Sequence, residues 1–388
     1  MQRIQSRTGP MSMVRHAAGA ISLTIAAALP LRASAQASNG SVDSLAHAFL
    51  AEHRTPALVI GVIDAEGERV LPYGVMSTSD STPVTGDTRF EVGSVTKVLT
   101  SLLLARMVES GEVKLDDPIA RFLPDSVGAP EYRGTPVTLR ELATHSSSLP
   151  RLPGNIAPAN MLDPYADYTA DRLYAFLDSY DLPQPPDSHY EYSNLGAGLL
   201  GFLLSRRAGE PYDKLLEQRV LGPLGMNDSY VAELGGDTDA RLAQGYAEGK
   251  PVPFWHFGSL DGAGALRSST NDLLRLLSAE LHPERTSLAE AIELTQQIRF
   301  HASPQLALAL GWHVVQLPDS SSLYWHNGGT GGARSFVGFV PKSGVGVVAL
   351  MNEALPLDAV NQLGIQLARA VVAKGASAST AGSASSRR

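Results

Sequence analysis

Cysteine is missing from the whole 388-residue sequence. Disulfides, thiolate nucleophiles, Cys-based zinc sites and a lipid-accepting thiol near the N-terminus are excluded with it. Basic residues are also scarce: 31 Lys and Arg stand against 39 Asp and Glu, for a net charge of −8. No block of Lys or Arg offsets that balance, so the chain repels phosphate backbones and no nucleic-acid partner is expected. The ten histidines show neither HExxH nor HxH spacing, so no metal centre is indicated. No cofactor is expected either.

The N-terminus reads as a leader. Arg3, Arg7 and Arg15 precede an apolar run from Ala17 to Leu31, and no acid occurs before Ala35. Ala33-Ser34-Ala35 then supplies the small-x-small pattern of a signal-peptidase site. A membrane anchor is the competing reading, but roughly 15 apolar residues fall short of the ~20 that span a bilayer. Residues 1–35 are therefore expected to be a cleaved signal peptide, giving a periplasmic or secreted product with no stable membrane anchor. Cleavage removes Arg3, Arg7, Arg15 and Arg32 with no acid, so the mature chain is more acidic still.

What remains exceeds the length one hydrophobic core usually serves, so two lobes are expected. Pro56–Ile63 and Arg69–Met76 are β-rich and flank a turn at Asp64-Ala65-Glu66-Gly67. From Ser94 to Val108 apolar residues recur at helical spacing, and Gly111 stops the run. Further helices fit Ala170–Tyr180, Leu195–Arg207 and Thr270–Leu281 among Pro- and Gly-rich loops. Strands return at Leu310–Leu317, Ser322–His326, Ser335–Val340 and Val345–Met351, and a closing helix spans Leu357–Ala373.

Strands at both ends with helices between them predict an α/β (α+β) fold. Its mixed, mostly antiparallel sheet would be flanked by helices and formed from both chain ends, with an all-helical lobe inserted. The expected division is 36–115 with 300–375 for the sheet lobe, 116–299 for the helical lobe, and a disordered tail over 376–388. The crevice between lobes is the expected ligand site.

Three short motifs carry chemistry. In Ser94-Val95-Thr96-Lys97, residues three apart share a helix face, so the Lys97 amine can reach the Ser94 hydroxyl. A serine hydroxyl needs such a neighbour to take its proton. Lys97 is the one lysine of six with Ser at the −3 position. In Tyr192-Ser193-Asn194, Tyr192 is a second proton-transfer candidate, its phenolate stabilised by Lys97; the alternative is a packed loop tyrosine and an asparagine capping the next helix. In His326-Asn327-Gly328-Gly329, glycines ending a strand let a substrate backbone approach closely; a glycine-rich turn reads the same way.

Taken in chain order, the three motifs resemble those of the class C β-lactamases, the DD-peptidases and the family VIII carboxylesterases. Leu142-Ala143-Thr144-His145-Ser146-Ser147-Ser148-Leu149-Pro150 is similar to that family's LxTHxSGLP stretch, with Ser148 where glycine is usual. Gly222-Pro223-Leu224-Gly225-Met226 is similar to its PLGM segment. The resemblance implies Ser94 as nucleophile, Lys97 as proton acceptor and Tyr192 as the base for the deacylating water. It also implies that Asn194 binds the substrate amide and that the Ser94 and Gly329 amides form an oxyanion hole. His326, Gly328 and Gly329 would line the substrate strand. His326 stands where many class C β-lactamases have lysine, and Arg334 could supply that cation or lie on the surface.

The expected activity is an exported serine hydrolase forming an acyl-enzyme with β-lactams or D-Ala-D-Ala-type peptides. Its partner would be a small-molecule or peptidoglycan-derived substrate, and the working unit a monomer. A carboxylesterase on short acyl esters and a non-catalytic penicillin-binding sensor are the alternatives.

Overall fold

Apolar runs from the two chain ends meet in one sheet. In the computed structural model, residues 42–232 and 238–385 are described; the expected signal peptide, 1–35, lies outside them. Among the described residues the main sheet has nine strands. They are β1 (Ala57–Asp64), β2 (Gly67–Ser77), β3 (Asp80–Pro83), β4 (Phe300–Ser303), β5 (Leu306–Leu308), β6 (His313–Gln316), β7 (Ser322–Gly329), β8 (Arg334–Val340) and β9 (Val345–Met351). Their spatial order is β4-β5-β6-β7-β8-β9-β1-β2-β3, every neighbouring pair antiparallel.

The seam between chain ends is β1 against β9, with Leu58 opposite Met351 and Ile63 opposite Gly346. Both strands lie inside the sheet and are covered on both faces. Each therefore reads as an unbroken apolar run rather than an alternation. The β1–β2 turn is held by Asp64, which accepts from Glu66 N at 2.9 Å and from Arg69 at 2.8 Å.

The helices are α1 (Val42–Glu52), α2 (Thr96–Glu109), α3 (Leu139–Thr144), α4 (Ala170–Ser179), α5 (Asn194–Ala208), α6 (Tyr212–Leu216), α7 (Thr270–Leu281), α8 (Ala289–Gln296) and α9 (Leu357–Ser385). On one sheet face, Leu58, Ile60 and Val62 pack with Ala46 and Phe49 of α1 and with Val360, Leu363, Leu367 and Val371 of α9. On the other, Val59 and Ile63 join a larger core with α2, α5 and α7. That second core carries the site.

Several elements differ from the sequence expectation. The lobe expected to be all-helical also carries short strands, among them Leu266–Ser269, which pairs with Arg89–Glu91 and Tyr230–Val231. The strand expected from Leu310 starts at His313, because Gly311 turns at φ +76 and packs its backbone against Lys97 O and Ser101 of α2. Helix α9 continues past Ala373, where its apolar stripe ends, and its backbone stays helical to Ser385 through the segment expected as a tail. That stretch is rich in alanine, the strongest helix former.

Candidate active site

Val92 leads into a 3₁₀ turn, Gly93–Val95, that continues as α2. Glycines bring this turn against the end of β7. A Cβ on Gly328 would lie 1.9 Å from Val92 O, and one on Gly93 would lie 2.7 Å from Gly329 N. Gly93 also has φ +49, a conformation that favours glycine. The backbone amides of Ser94 and Gly329 are thus brought close together, at the head of a helix whose dipole favours negative charge.

Lys97 is 2 % exposed, and its amine has three partners. Nζ lies 2.9 Å from Ser94 Oγ, 2.9 Å from Asn194 Oδ1 and 2.6 Å from Ala263 O. Burial, aided by the nearby Arg151 guanidinium, holds its pKa well below the usual lysine value. Two of the partners can only accept. A neutral amine gives them its two N–H bonds and keeps its lone pair for the Ser94 hydroxyl.

The Tyr192-Ser193-Asn194 loop is clamped by the Leu142–Pro150 stretch and the residue after it. Ser193 N donates to His145 Nδ1 at 3.2 Å, Ser193 Oγ donates to Pro150 O at 2.7 Å, and Asn194 N donates to Arg151 O at 3.0 Å. Ser193 is the residue that caps α5, accepting from Gly196 N at 2.8 Å. That leaves the Asn194 side chain free to face Lys97, while its Nδ2 donates to Tyr165 OH at 3.1 Å. Ser148, in the place of the usual glycine, has φ +61 and ties its hydroxyl to Pro185 O at 2.9 Å. A left-handed serine is costly, and that bond offsets part of the cost.

Burial pushes the half-buried Tyr192 phenol up to about 12, with the neighbouring Ser94 hydroxyl and Arg151 partly opposing it. The resting group is therefore a phenol. Its ring centre lies 5.0 Å from Lys97 Nζ and 5.2 Å from Arg151 Cζ; of those two, Arg151 is the cation acting on the hydroxyl.

Three buried histidines surround this ring. His145 lies 4.4 Å, His326 6.1 Å and His313 6.3 Å from it, centre to centre. His326 is 1 % exposed; its Nδ1 meets Asn327 O at 2.5 Å, so Nδ1 carries the proton. His313 meets Tyr190 OH at 3.0 Å. Burial first, then Lys97 and neighbouring imidazoles, holds His145 and His326 well below the usual histidine range, and burial with Lys97 holds His313 at about 4. An imidazole depressed by folding binds fewer protons folded than unfolded. Its stability contribution is full above ~6.5 and is lost as pH falls toward 4. For His313 this loss is on the order of 2–3 kcal/mol between pH 7 and pH 4.5. Urea unfolding at those two pH values should show a loss smaller by about that much in His313→Leu than in the parent. Equal losses would contradict this account.

Arg334 is not a surface residue. Its guanidinium donates to Leu355 O at 2.6 Å, Thr330 O at 2.7 Å and Ala333 O at 2.8 Å, and burial lowers its pKa to about 10. It ties the end of β8 to neighbouring loops.

Several residues at the site carry no motif of their own. Tyr165 and the Ala263 carbonyl belong to segments with no sequence signal, and His313 sits in the strand expected over Leu310–Leu317 with nothing to mark it as a site residue. His145 stands within the Leu142–Pro150 stretch and Arg151 follows it, so that stretch pointed to their place.

A buried lysine whose pKa is held low, against a serine at a helix head and beside two backbone amides, is the arrangement of a serine hydrolase. The sequence profile of the Beta-lactamase family matches residues 42–371, and the chain belongs to that family. It is 28% identical over 342 residues to the D-alanyl-D-alanine-carboxypeptidase/endopeptidase AmpH of Escherichia coli K12, covering 83% of this chain and 87% of that protein. It is 27% identical over 350 residues to a beta-lactamase of Pseudomonas fluorescens, covering 81% of this chain and 93% of that one. The class C beta lactamase of Rhodobacter sphaeroides superposes with a TM-score of 0.73 at 28% identity, covering 84% of this chain and 97% of that structure.

Proposed function

We propose that this serine hydrolase is exported and works through an acyl-enzyme on D-Ala-D-Ala-type peptides or β-lactams. The observation that carries the reading is Lys97, buried and placed 2.9 Å from Ser94 Oγ. Ser94 Oγ attacks the substrate carbonyl while its proton passes to the neutral Lys97 amine. The carbonyl oxygen, now negative, is held by the Ser94 and Gly329 amides. The C–N bond then breaks, and the proton returns from Lys97 through the Tyr192 hydroxyl to the leaving nitrogen. In deacylation the same pair takes a proton from water, whose oxygen attacks the acyl carbon; the acyl C–Oγ bond then breaks and the pair returns that proton to Ser94 Oγ. Asn194 binds the substrate amide, and β7 with His326, Gly328 and Gly329 forms its wall. The sheet lobe (36–115 and 300–375) and helical lobe (116–299) would meet along this crevice.

Export rests on the leader at 1–35. No described helix is long and apolar enough to cross a membrane. The activities by which the relatives are named, carboxypeptidase/endopeptidase and beta-lactamase, agree with an acyl donor of this class. His326, its pKa held low, stands where a lysine would pair with the carboxylate that a β-lactam and a D-Ala-D-Ala terminus both carry, so neither substrate gains a charge pair there. A panel of nitrocefin, a D-Ala-D-Ala peptide and p-nitrophenyl butyrate tests this. Turnover of the peptide, of nitrocefin or of both, lost in Ser94→Ala, is the expected result. Turnover of the butyrate alone would replace this reading by a carboxylesterase, and no turnover of any by a sensor.

A further inference from the structure

Arg151 is the cation of this site that no carboxylate or carbonyl of the described residues answers. Its backbone is fixed, because Arg151 O accepts from Asn194 N at 3.0 Å and from Leu195 N at 3.2 Å. Its half-buried guanidinium lies over the Tyr192 ring, 5.2 Å from the centre. Among the described residues it meets no carboxylate and donates to no carbonyl or side chain. Arg140, on the nearby helix α3, shows the usual arrangement: Asp116, Glu141 and Asp187 all lie on it, at 2.9, 3.4 and 3.1 Å.

The surroundings share this bias. The ionisable groups bearing on Lys97, His145, Tyr192, His313 and His326 are cations, imidazoles and a phenol, and none is a carboxylate. With the imidazoles held below their usual range and Tyr192 a phenol, Arg151 has no negative group beside it here. A partly desolvated guanidinium without a partner costs stability. It also presents a planar fork suited to a carboxylate.

We infer that Arg151 is a specificity-determining residue that binds a carboxylate carried on the acyl portion of the substrate. The inference rests on the acyl-serine reading above. Arg151 belongs to the segment that holds Asn194, the residue proposed to bind the substrate amide, whereas Arg334 beside β7 is consumed by three backbone carbonyls. The negative group is thus met from the acyl side of the scissile bond.

Two esters with one leaving group test this: p-nitrophenyl hydrogen adipate, whose acyl end is anionic, and p-nitrophenyl methyl adipate, its neutral twin. The ratio of kcat/KM for the anionic over the neutral ester is read above the acid limb, where Lys97 is neutral. Arg151→Leu and Arg151→Gln should lower that ratio by about 10- to 100-fold, as expected for losing a hydrogen bond to a charged group. Arg151→Lys should recover part of it, keeping the charge without the fork. Labelling of Ser94 by a fluorophosphonate is followed in each variant to show that the site is assembled. An unchanged ratio in either neutral variant, or both esters slowed in proportion, would overturn the inference and leave the hydrolase reading standing. A parent enzyme that labels at Ser94 but does not prefer the anionic ester would overturn it too. Failure of the parent to label at Ser94 would overturn both.

Discussion

Ser94→Ala is expected to lower turnover by about 10⁵–10⁶, the scale seen when a nucleophile that works as part of a unit is removed. The size follows from what is left behind. Lys97 keeps its bonds to Asn194 Oδ1 and Ala263 O, so the pocket stays folded and the backbone amides stay in place. Binding and charge stabilisation survive, but no atom remains to form the acyl bond. Removing one small half-buried hydroxyl should change stability by no more than about 1 kcal/mol. Kinetics on the D-Ala-D-Ala peptide, with a melting curve beside them, check both parts. A variant that kept more than a few per cent of parental turnover would mean another nucleophile.

Lys97→Ala and Tyr192→Phe should each cut turnover by about 10²–10⁴, the range for loss of a general base. Their effects should not add. Lys97 Nζ lies 2.9 Å from Ser94 Oγ and 5.0 Å from the centre of the Tyr192 ring. Each group alone is poorly equipped: the buried amine is sealed from solvent, and the phenol, at about 12, gives up its proton only to a partner that can return it. They therefore act as one relay, and the double variant should be at most about tenfold worse than the poorer single one. Additive losses would mean independent roles. The pH profile supplies a second readout. Protonating Lys97 blocks the step, so the parent should lose activity as pH falls through the depressed lysine pKa, and Lys97→Ala should lack that limb.

Much of this site was legible in the sequence because its parts are local. Ser94 and Lys97 are one turn apart, and Tyr192 and Asn194 flank a single helix cap. The β1–β2 hairpin and helix α7 follow from period and caps, with Ser269 accepting from Asp272 N at 3.2 Å. What stayed hidden depends on contacts across the chain. The Ala263 carbonyl that orients Lys97 is 166 positions away, and no property of alanine announces it. His313 and His326 reach Tyr192 only because β6 and β7 pair with His313 opposite Trp325. Strands β4 and β5 were missed because they are short, and β4 is too exposed for a clear apolar alternation. Arg334 read as a surface residue because charge suggests solvent, yet its three carbonyl partners come from two separate loops.

The claim on which everything else rests is that Ser94 is the activated serine. The direct test is to incubate the full chain with a fluorescent penicillin, and separately with a fluorophosphonate, then map the label by peptide mass spectrometry. Both reagents trap an activated serine. The account predicts one label per chain, on the peptide containing Ser94, absent from Ser94→Ala and strongly slowed in Lys97→Ala. Label on a different serine, or labelling that survives Ser94→Ala, would contradict it.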